Sequence, residues 1–222
     1  MDSKLLIQAI IKFLMGLILV GLLLFIPGTF NYTNAWLFMG LLFIPMFFVG
    51  LILYFKNPDL LKSRLDVREK ESEQKEVLLY SSLMFISGFV VAGLNYRYSL
   101  IILPRSIVII ASIIFIVSYI LYGEVLRENS FLSRTIGVRN NQKVIDTGLY
   151  GIVRHPMYMI TIILFLMIPL ILGSIISFFI FLMYPFIIIK RIKNEEIILE
   201  KELKGYSEYE NKVKYRLIPY IW

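Results

Sequence analysis

Two short polar segments of the chain combine residue types that can bind and orient a charged ligand. The first, residues 154–158, has the sequence RHPMY and contains the single histidine of the chain. Its proline fits the first turn of a helix, where unpaired backbone N–H groups can bind an anion. In the second segment, residues 190–196, Arg191 and Glu195 lie four positions apart and so on one helical face. Because an arginine can hold a carboxylate in a two-pronged contact, this pattern suits the binding of a charged small molecule.

Residues 142–150, which precede the first segment, add a turn and an aromatic surface. Thr147 and Gly148 permit a tight turn, and Tyr150 and Tyr158 offer flat faces against which a ring can pack. Pockets for small molecules typically place a few polar groups among such walls. Both polar segments also fit purely structural roles, one as a helix start and the other as a basic patch at a membrane boundary. A shared site therefore requires a fold that brings the two segments together.

The chain that must position these residues is too apolar for a soluble domain. Of its 222 residues, 58% are hydrophobic and 18% are charged, whereas soluble domains have about 25% charged residues. This composition excludes a disordered chain, and the absence of cysteine excludes a disulfide scaffold and thiolate metal sites. With one histidine a multi-histidine metal site is excluded too, so we expect no metal. The net charge of +7 could indicate a nucleic-acid partner, but in a membrane protein an excess of basic residues usually marks the cytoplasmic loops. We therefore expect no nucleic-acid partner.

Apolar runs in the sequence predict an all-α, polytopic integral membrane helical bundle. Crossing about 30 Å of hydrocarbon takes roughly 20 apolar residues as a helix. Four runs reach this length, at residues 5–27, 35–55, 77–94 and 106–123. A fifth run, residues 157–189, would form a helix of about 50 Å, which is too long for one crossing. Because Pro169 and Gly173 interrupt it, we predict a C-terminal hairpin (residues 157–168 and 174–189) or one long kinked helix, giving five to six membrane segments.

The distribution of basic residues orients this bundle and favours the hairpin. Residues 56–76, 124–155 and 190–222, together with Lys4 and Lys12, hold 21 of the 23 basic residues, and Arg97 and Arg105 are the other two. Since positively charged loops stay in the cytoplasm, both termini and all three polar segments are predicted to be cytoplasmic. A single crossing would place the basic C-terminal segment outside. We expect two parts: transmembrane helices with a cytoplasmic loop at 56–76 in residues 1–123, and residues 124–222 carrying the site.

The polar segments together resemble a known signature, that of the isoprenylcysteine carboxyl methyltransferase family. The RHPMY sequence, with TGLY before it at residues 147–150, is similar to the RHPxY motif of that family. Further points of similarity follow the apolar hairpin: the pair Glu195 and Glu196, then Tyr206, Tyr209 and residues 216–219. The resemblance covers residues 124–222. Taken without it, the aromatic and basic tail is typical of an anchor at the membrane interface, or else of a lid over the site.

The resemblance implies S-adenosylmethionine as methyl donor, bound at the cytoplasmic edge of the membrane, with S-adenosylhomocysteine as product. Carried over position by position, it implies that the cofactor contacts Gln142, Lys143, Val144, Ile145, Tyr150, His155, Pro156, Met157, Tyr158 and Glu195. Arg191 corresponds to the arginine that faces the substrate, Arg191 and Glu195 form the catalytic pair, and Thr135 also lines the pocket. Residues 124–222 become the catalytic part of a multi-pass protein, expected in the plasma membrane of a prokaryote.

The implied reaction is methyl transfer to the carboxylate of a prenylcysteine-like or other lipophilic substrate, taken from the lipid bilayer or carried by a lipidated protein. A carboxylate is already ionised at neutral pH, and Arg191 suits it. A phospholipid amine N-methyltransferase is the alternative enzyme, although an amine must first lose a proton. Sterol-type reductases, which use a nicotinamide cofactor, have a similar C-terminal region. A non-catalytic membrane protein is the alternative from another class.

Overall fold

The chain folds into nine α-helices within the residues that the computed structural model describes, which are 3–66, 72–133, 137–138 and 141–222. The helices are α1 (Ser3–Phe25), α2 (Thr33–Lys56), α3 (Pro58–Leu65), α4 (Ser72–Arg97), α5 (Arg105–Glu128), α6 (Pro156–Ile171), α7 (Ile175–Phe181), α8 (Met183–Glu202) and α9 (Tyr206–Lys212). A 3₁₀ turn at Gly148–Gly151 precedes α6. These described residues hold no strand, only an isolated bridge between Ile102 and Ser174.

Five helical stretches are long and apolar enough to cross a membrane. They are α1, α2, residues Gln74–Arg97 of α4, α5, and the continuous stretch Ile175–Glu202 that comprises α7 and α8. Helix α6 is apolar but shorter, with 16 residues. Large apolar side chains such as Ile10, Leu14 and Ile18 of α1 face outward, as expected for a lipid-facing surface. The predicted all-α, polytopic membrane bundle is confirmed.

Helices α6 and α7–α8 form the hairpin that the distribution of basic residues favours over a single kinked helix. The chain reverses at Gly173, whose φ of 75° lies in the left-handed region that favours glycine. The arms run antiparallel, since Phe165 packs against Tyr184 with ring centroids 4.7 Å apart. Farther from the turn, Arg191 Nε donates to the hydroxyl of Tyr158 at 2.8 Å. The hairpin thus returns the second polar segment to the first.

An aromatic cluster between α4 and the hairpin holds this arrangement. Phe85 of α4 packs edge-on against Phe165 of α6 and Phe181 of α7, with ring centroids 4.9 and 5.4 Å apart. The second arm bends between α7 and α8, where Pro185 has no N–H to donate to the carbonyl four residues earlier. Aromatic rings bury a large apolar area and prefer such edge-on contacts, so this cluster fixes the position of the hairpin against α4.

One end of the bundle gathers the polar parts of the chain. Lys12 of α1 donates to the carbonyl of Leu65, at the end of α3. Lys190 of α8 pairs with Glu76 of α4 at 2.6 Å. The loop after α5, the 3₁₀ turn, the start of α6 and helix α9 complete this end.

Candidate functional site

A cleft opens at the polar end of the bundle, between the loop after α5, the first turn of α6, the middle of α8 and helix α9. Its empty volume is about 820 Å³, counting space continuous with solvent. The lining includes the predicted residues Gln142, Lys143, Val144, Ile145, Tyr150, His155, Met157, Tyr158, Arg191 and Glu195. Pro156 lies behind the wall, buried as the first residue of α6. Thr135 lies outside the described residues.

A chain of three hydrogen-bonded side chains connects the two arms of the hairpin inside the cleft. The Tyr158 hydroxyl donates to Glu195 Oε2 at 2.5 Å and accepts from Arg191 Nε at 2.8 Å. The Arg191 guanidinium also lies 5.9 Å from the centroid of the Tyr158 ring. Arg191 and Glu195 therefore share the face of α8 that their four-residue spacing predicts. Because Tyr158 bridges them, their orientation in the cleft is fixed by a residue of α6.

Glu196 lies next to this chain and collects three basic side chains. Its Oε1 accepts from Arg154 Nε at 2.8 Å and lies 3.1 Å from His155 Nε2. Its Oε2 accepts from Arg216 Nε at 2.5 Å. The Arg154 guanidinium, also paired with Glu210 at 2.8 Å, is buried. Burial acts to lower the pKa of Arg154, but the hydrogen bond to Glu196 and the negative charges of Glu196 and Glu210 together outweigh burial. The pKa is therefore raised and the side chain stays charged.

The C-terminal tail binds the RHPMY segment through its main chain. The backbone N–H groups of Arg154 and His155 donate to the carbonyls of Tyr215 and Arg216, both at 2.9 Å. Those two N–H groups, which precede the first turn of α6, are therefore bonded to the tail and are not available to an anion. The tail supports the wall of the cleft, a role that the sequence did not predict, and its anchoring at the membrane interface stays a prediction.

The TGLY turn is held by Glu128 at the end of α5. The Glu128 carboxylate accepts from Thr147 Oγ1 at 3.0 Å and from the Leu149 backbone N–H at 3.3 Å. Gly148 has a φ of 50°, and a Cβ there would overlap with the Glu128 carboxylate. The left-handed conformation of the turn thus favours glycine, and a larger residue would also displace the Glu128 carboxylate from its hydrogen bonds. The turn presents Tyr150 to the cleft, where the Tyr209 hydroxyl donates to the Tyr150 carbonyl at 2.7 Å.

Helix α9 forms an apolar end of the cleft, opposite the charged side chains of α8. Tyr206 and Tyr209, with ring centroids 5.8 Å apart, cluster with Val144, Leu199 and Leu203. The Tyr206 hydroxyl is buried and has no hydrogen-bond partner among the residues that the structure describes. Burial raises the pKa of Tyr206, so its hydroxyl stays protonated and able to donate.

An ion pair connects the loop that carries the predicted cofactor residues 142–145 to the last residue of α9. Lys212 donates to Asp146 Oδ2 at 2.6 Å, and this hydrogen bond holds the pKa of Asp146 below its usual range. Asp146 follows directly after the four lining residues at 142–145. The loop therefore lies between α9 and the end of α5.

Several lining or supporting residues were missed by the sequence reasoning. They are Glu128, Asn129, Leu199, Leu203 and, as the node of the buried ion pairs, Glu196. Glu196 was named in the sequence only as the second glutamate of the pair that the family resemblance includes, without a role, because its contact with the buried Arg154 depends on the fold. Tyr206 and Tyr209 were identified only as tail residues, whereas the structure places both in the cleft.

Two comparisons with known proteins match part of this chain, and one of them covers most of the residues that line the cleft. A curated relative, Delta(14)-sterol reductase TM7SF2 of Mus musculus, is 30% identical over 91 residues, which are 40% of this chain. The match spans only 22% of the length of that relative. Residues 107–201, which include the TGLY and RHPMY segments, Arg191 and Glu195, match the model of the Isoprenylcysteine carboxyl methyltransferase (ICMT) family. This match confirms, over those residues, that the chain is similar to the family whose signature its two polar segments resemble.

Proposed function

We propose that the protein is an S-adenosylmethionine-dependent methyltransferase that acts on the carboxylate of a prenylcysteine-like or other lipophilic substrate. The observation that carries the proposal is the meeting of Arg191, Tyr158 and Glu195 in one cleft with residues 142–145. A donor-binding loop and a carboxylate-binding arginine are the two parts that such a reaction needs within one site. The match of residues 107–201 to the ICMT family supports the same reaction class.

The cleft suits a donor that combines an aromatic base with charged groups. At the apolar end near α9, the rings of Tyr206 and Tyr209 can pack against the base, and the Tyr206 hydroxyl can donate a hydrogen bond to the donor molecule. Glu195, at the other end, suits an ammonium, a ribose hydroxyl or the positive sulfonium. Residues 142–145, Tyr150, His155, Met157 and Tyr158 would hold the donor between these ends. When bound, S-adenosylmethionine supplies a methyl group whose bond to sulfur breaks as the acceptor oxygen bonds to it, leaving S-adenosylhomocysteine.

Arg191 acts by orienting the acceptor carboxylate. Its Nε–H is committed to Tyr158, which fixes the plane of the guanidinium relative to α6. An in-line displacement depends mainly on holding nucleophile and methyl group close and aligned, so a fixed guanidinium lowers the barrier by positioning. The carboxylate needs no general base. The low dielectric of the half-buried cleft strengthens these charge interactions.

The location of the cleft at one end of an apolar bundle fits substrates from two phases. A lipophilic acceptor reaches Arg191 from the bilayer, and the water-soluble donor enters from the solvent side of α9. We propose the plasma membrane of a prokaryote as the location, with the cleft and both termini on its cytoplasmic side. The basic residues concentrated at this end support that orientation. Residues 124–222 form the catalytic part, and residues 1–123 anchor it.

Two other activities make different predictions for the same cleft. An amine acceptor, as in a phospholipid N-methyltransferase, needs a base to remove its proton. The positive charge of Arg191 would repel the protonated amine. A reductase like the curated sterol relative would bind a nicotinamide cofactor. The carboxylate proposal is favoured by Arg191 itself, because an arginine fork matches a carboxylate.

The test is label transfer with the purified full-length protein in detergent. We expect label from methyl-labelled S-adenosylmethionine to move to a prenylcysteine analogue and to be released as methanol by mild base, since methyl esters are base-labile. Arg191→Ala abolishes transfer, whereas Lys193→Ala, an exposed cation on the same helix, retains it. Base-stable label on phosphatidylethanolamine selects the amine alternative. A folded protein that neither binds S-adenosylhomocysteine nor transfers label refutes the proposal.

A further inference from the structure

Helix α3 lies outside the residues that match the ICMT family, yet its last turn contacts the wall of the cleft. The single hydroxyl proton of Ser63 is shared between the carbonyl of Leu60 within α3, at 2.7 Å, and the carbonyl of Leu132, at 3.1 Å. Arg64 donates through one terminal nitrogen to the carbonyl of Ser133 at 3.3 Å. Leu132 and Ser133 both line the cleft. Two consecutive side chains of α3 therefore contact two consecutive residues of the wall, and the contact from Arg64 is the one not shared with α3 itself.

The same guanidinium reaches the two helices on either side of that wall. Arg64 donates to the hydroxyl of Tyr122 on α5, and its Cζ lies 5.7 Å from the centroid of the Tyr122 ring. It also contacts Met157 Sδ, in the first turn of α6, at 3.8 Å. Met157 is another lining residue. One planar fork thus joins α5, the loop that leaves α5, and the start of α6.

Helix α3 is itself held firmly enough to serve as an anchor. The Asn57 side chain accepts from the Leu60 N–H at 3.1 Å and so caps its first turn. Leu60 and Leu61 are buried, and Lys12 of α1 donates to the Leu65 carbonyl at its last turn. The described part of the loop after α5 has no helix between Asn129 and Ser133. Its position consequently depends on side-chain contacts such as those from α3.

We propose that Arg64 is a positioning residue for the methyl-donor cleft, holding the wall at residues 132–133 against the first turn of α6. The inference rests on the proposed function for the identity of the ligand. Without the fork, the wall samples more positions, and the donor must order the wall when it binds. The cost falls on donor binding, while Arg191 and Glu195, held by Tyr158 on other helices, keep their arrangement. The N-terminal part of the chain is thereby a component of the site as well as its membrane anchor.

The ligand-binding test compares Arg64→Met and Arg64→Lys with Lys62→Met, an exposed cation on the same helix. We expect Arg64→Met to raise the dissociation constant of S-adenosylhomocysteine and the donor KM by roughly 10-fold, with a smaller change in kcat. Arg64→Lys restores part of this loss because it keeps the charge but not the planar fork. Lys62→Met leaves both constants unchanged. Wild-type constants in Arg64→Met overturn the proposal.

A second measurement needs no ligand. Since the chain has no cysteine, a Ser133→Cys substitution introduces a single thiol into the wall, and its rate of maleimide labelling reports the mobility of the wall. We expect Arg64→Met to accelerate labelling several-fold and Lys62→Met to leave it unchanged. An unchanged rate in Arg64→Met overturns the proposed positioning role. Wild-type protein that fails to bind S-adenosylhomocysteine overturns the proposed function instead, and the labelling rates still decide the role of Arg64.

Discussion

Arg154 and Glu196 form a buried ion pair, with Nε and Oε1 2.8 Å apart and side-chain exposures of 4% and 3%. The pair joins the segment before α6 to the middle of α8, and Arg216 connects the tail to the same carboxylate. Glu196 therefore closes the cleft from behind, whereas the neighbouring Glu195 faces into it. We therefore propose separable roles for the two adjacent glutamates, stability for Glu196 and binding for Glu195.

Substitution of Glu196 tests the stabilising role. Glu196→Gln removes the negative charge between Arg154, His155 and Arg216, and leaves a buried guanidinium with less compensation. Breaking a buried pair from one side costs about 3 kcal/mol, so we expect a clear fall in melting temperature in detergent. Thermal unfolding followed by circular dichroism measures it. Exposed Glu202, changed to Gln, serves as the control, and equal melting temperatures for the two variants would contradict the role given to Glu196.

Substitution of Glu195 is expected to weaken ligand binding without lowering the melting temperature. Glu195→Gln keeps an acceptor for the Tyr158 hydroxyl, so the melting temperature stays close to that of the wild type. The loss of charge weakens S-adenosylhomocysteine binding by roughly 10- to 100-fold, the range for a charge-assisted hydrogen bond. Isothermal titration calorimetry measures the affinity. Unchanged affinity would show that Glu195 does not contact the donor.

The sequence predicted the hairpin and the face shared by Arg191 and Glu195 because both follow from local rules. Charge asymmetry reports the side of the membrane, and a spacing of four reports a helical face. The role of Glu196 follows from no such rule. Its partners Arg154 and Arg216 lie 42 and 20 residues away, beyond any helical periodicity.

Support of the wall by the tail and by α3 was unpredictable for a related reason. The tail binds Arg154 and His155 through main-chain groups, which every residue type possesses. Its aromatic and basic composition indicated a membrane interface instead. Arg64 belongs to a segment whose charges resembled a solvated cytoplasmic loop. Only the folded structure, in which α3 packs on α1 and α2, shows that this arginine reaches Met157.

Gly148 offers a test of the TGLY turn. In Gly148→Ala, the left-handed conformation and the overlap of Cβ with the Glu128 carboxylate together destabilise the turn by about 1–3 kcal/mol. We expect a lower melting temperature and weaker S-adenosylhomocysteine binding, since Tyr150 is displaced. Glu128→Ala alone also loosens the turn, because it removes the acceptor for Thr147 and Leu149. Gly148→Ala should nevertheless cost less in that background than in the wild type, a non-additivity that separates overlap from backbone strain. Gly123→Ala, where a Cβ meets no atom within 4 Å, is the matched control.

The proposed orientation of the bundle can be tested in the cysteine-free chain. Single cysteines replace Lys193, on α8 near the cleft, and Tyr98, which is 66% exposed at the opposite end of the bundle. A membrane-impermeant maleimide should label the position of Tyr98 in intact cells and that of Lys193 only after permeabilisation, because we propose that the basic end faces the cytoplasm. Labelling of the Lys193 position in intact cells would place the cleft outside and contradict the proposed entry of the donor.

The Tyr206 hydroxyl separates ligand binding from folding. It is buried without a partner among the described residues, so the ligand-free protein carries a desolvated donor that contributes nothing to stability. Tyr206→Phe removes that oxygen but keeps the ring against Tyr209. We expect a free energy of unfolding that is unchanged or higher by about 1 kcal/mol at most, and so an unchanged or slightly higher melting temperature. In the same variant the dissociation constant of S-adenosylhomocysteine should rise roughly 3- to 10-fold, because the hydroxyl no longer donates to the ligand.

Tyr209→Phe provides the contrast, since its hydroxyl already donates to the Tyr150 carbonyl and its removal lowers stability. A fall in the ligand-free stability of Tyr206→Phe would assign the hydroxyl to the fold, whereas the expected opposite changes in stability and affinity assign it to the donor.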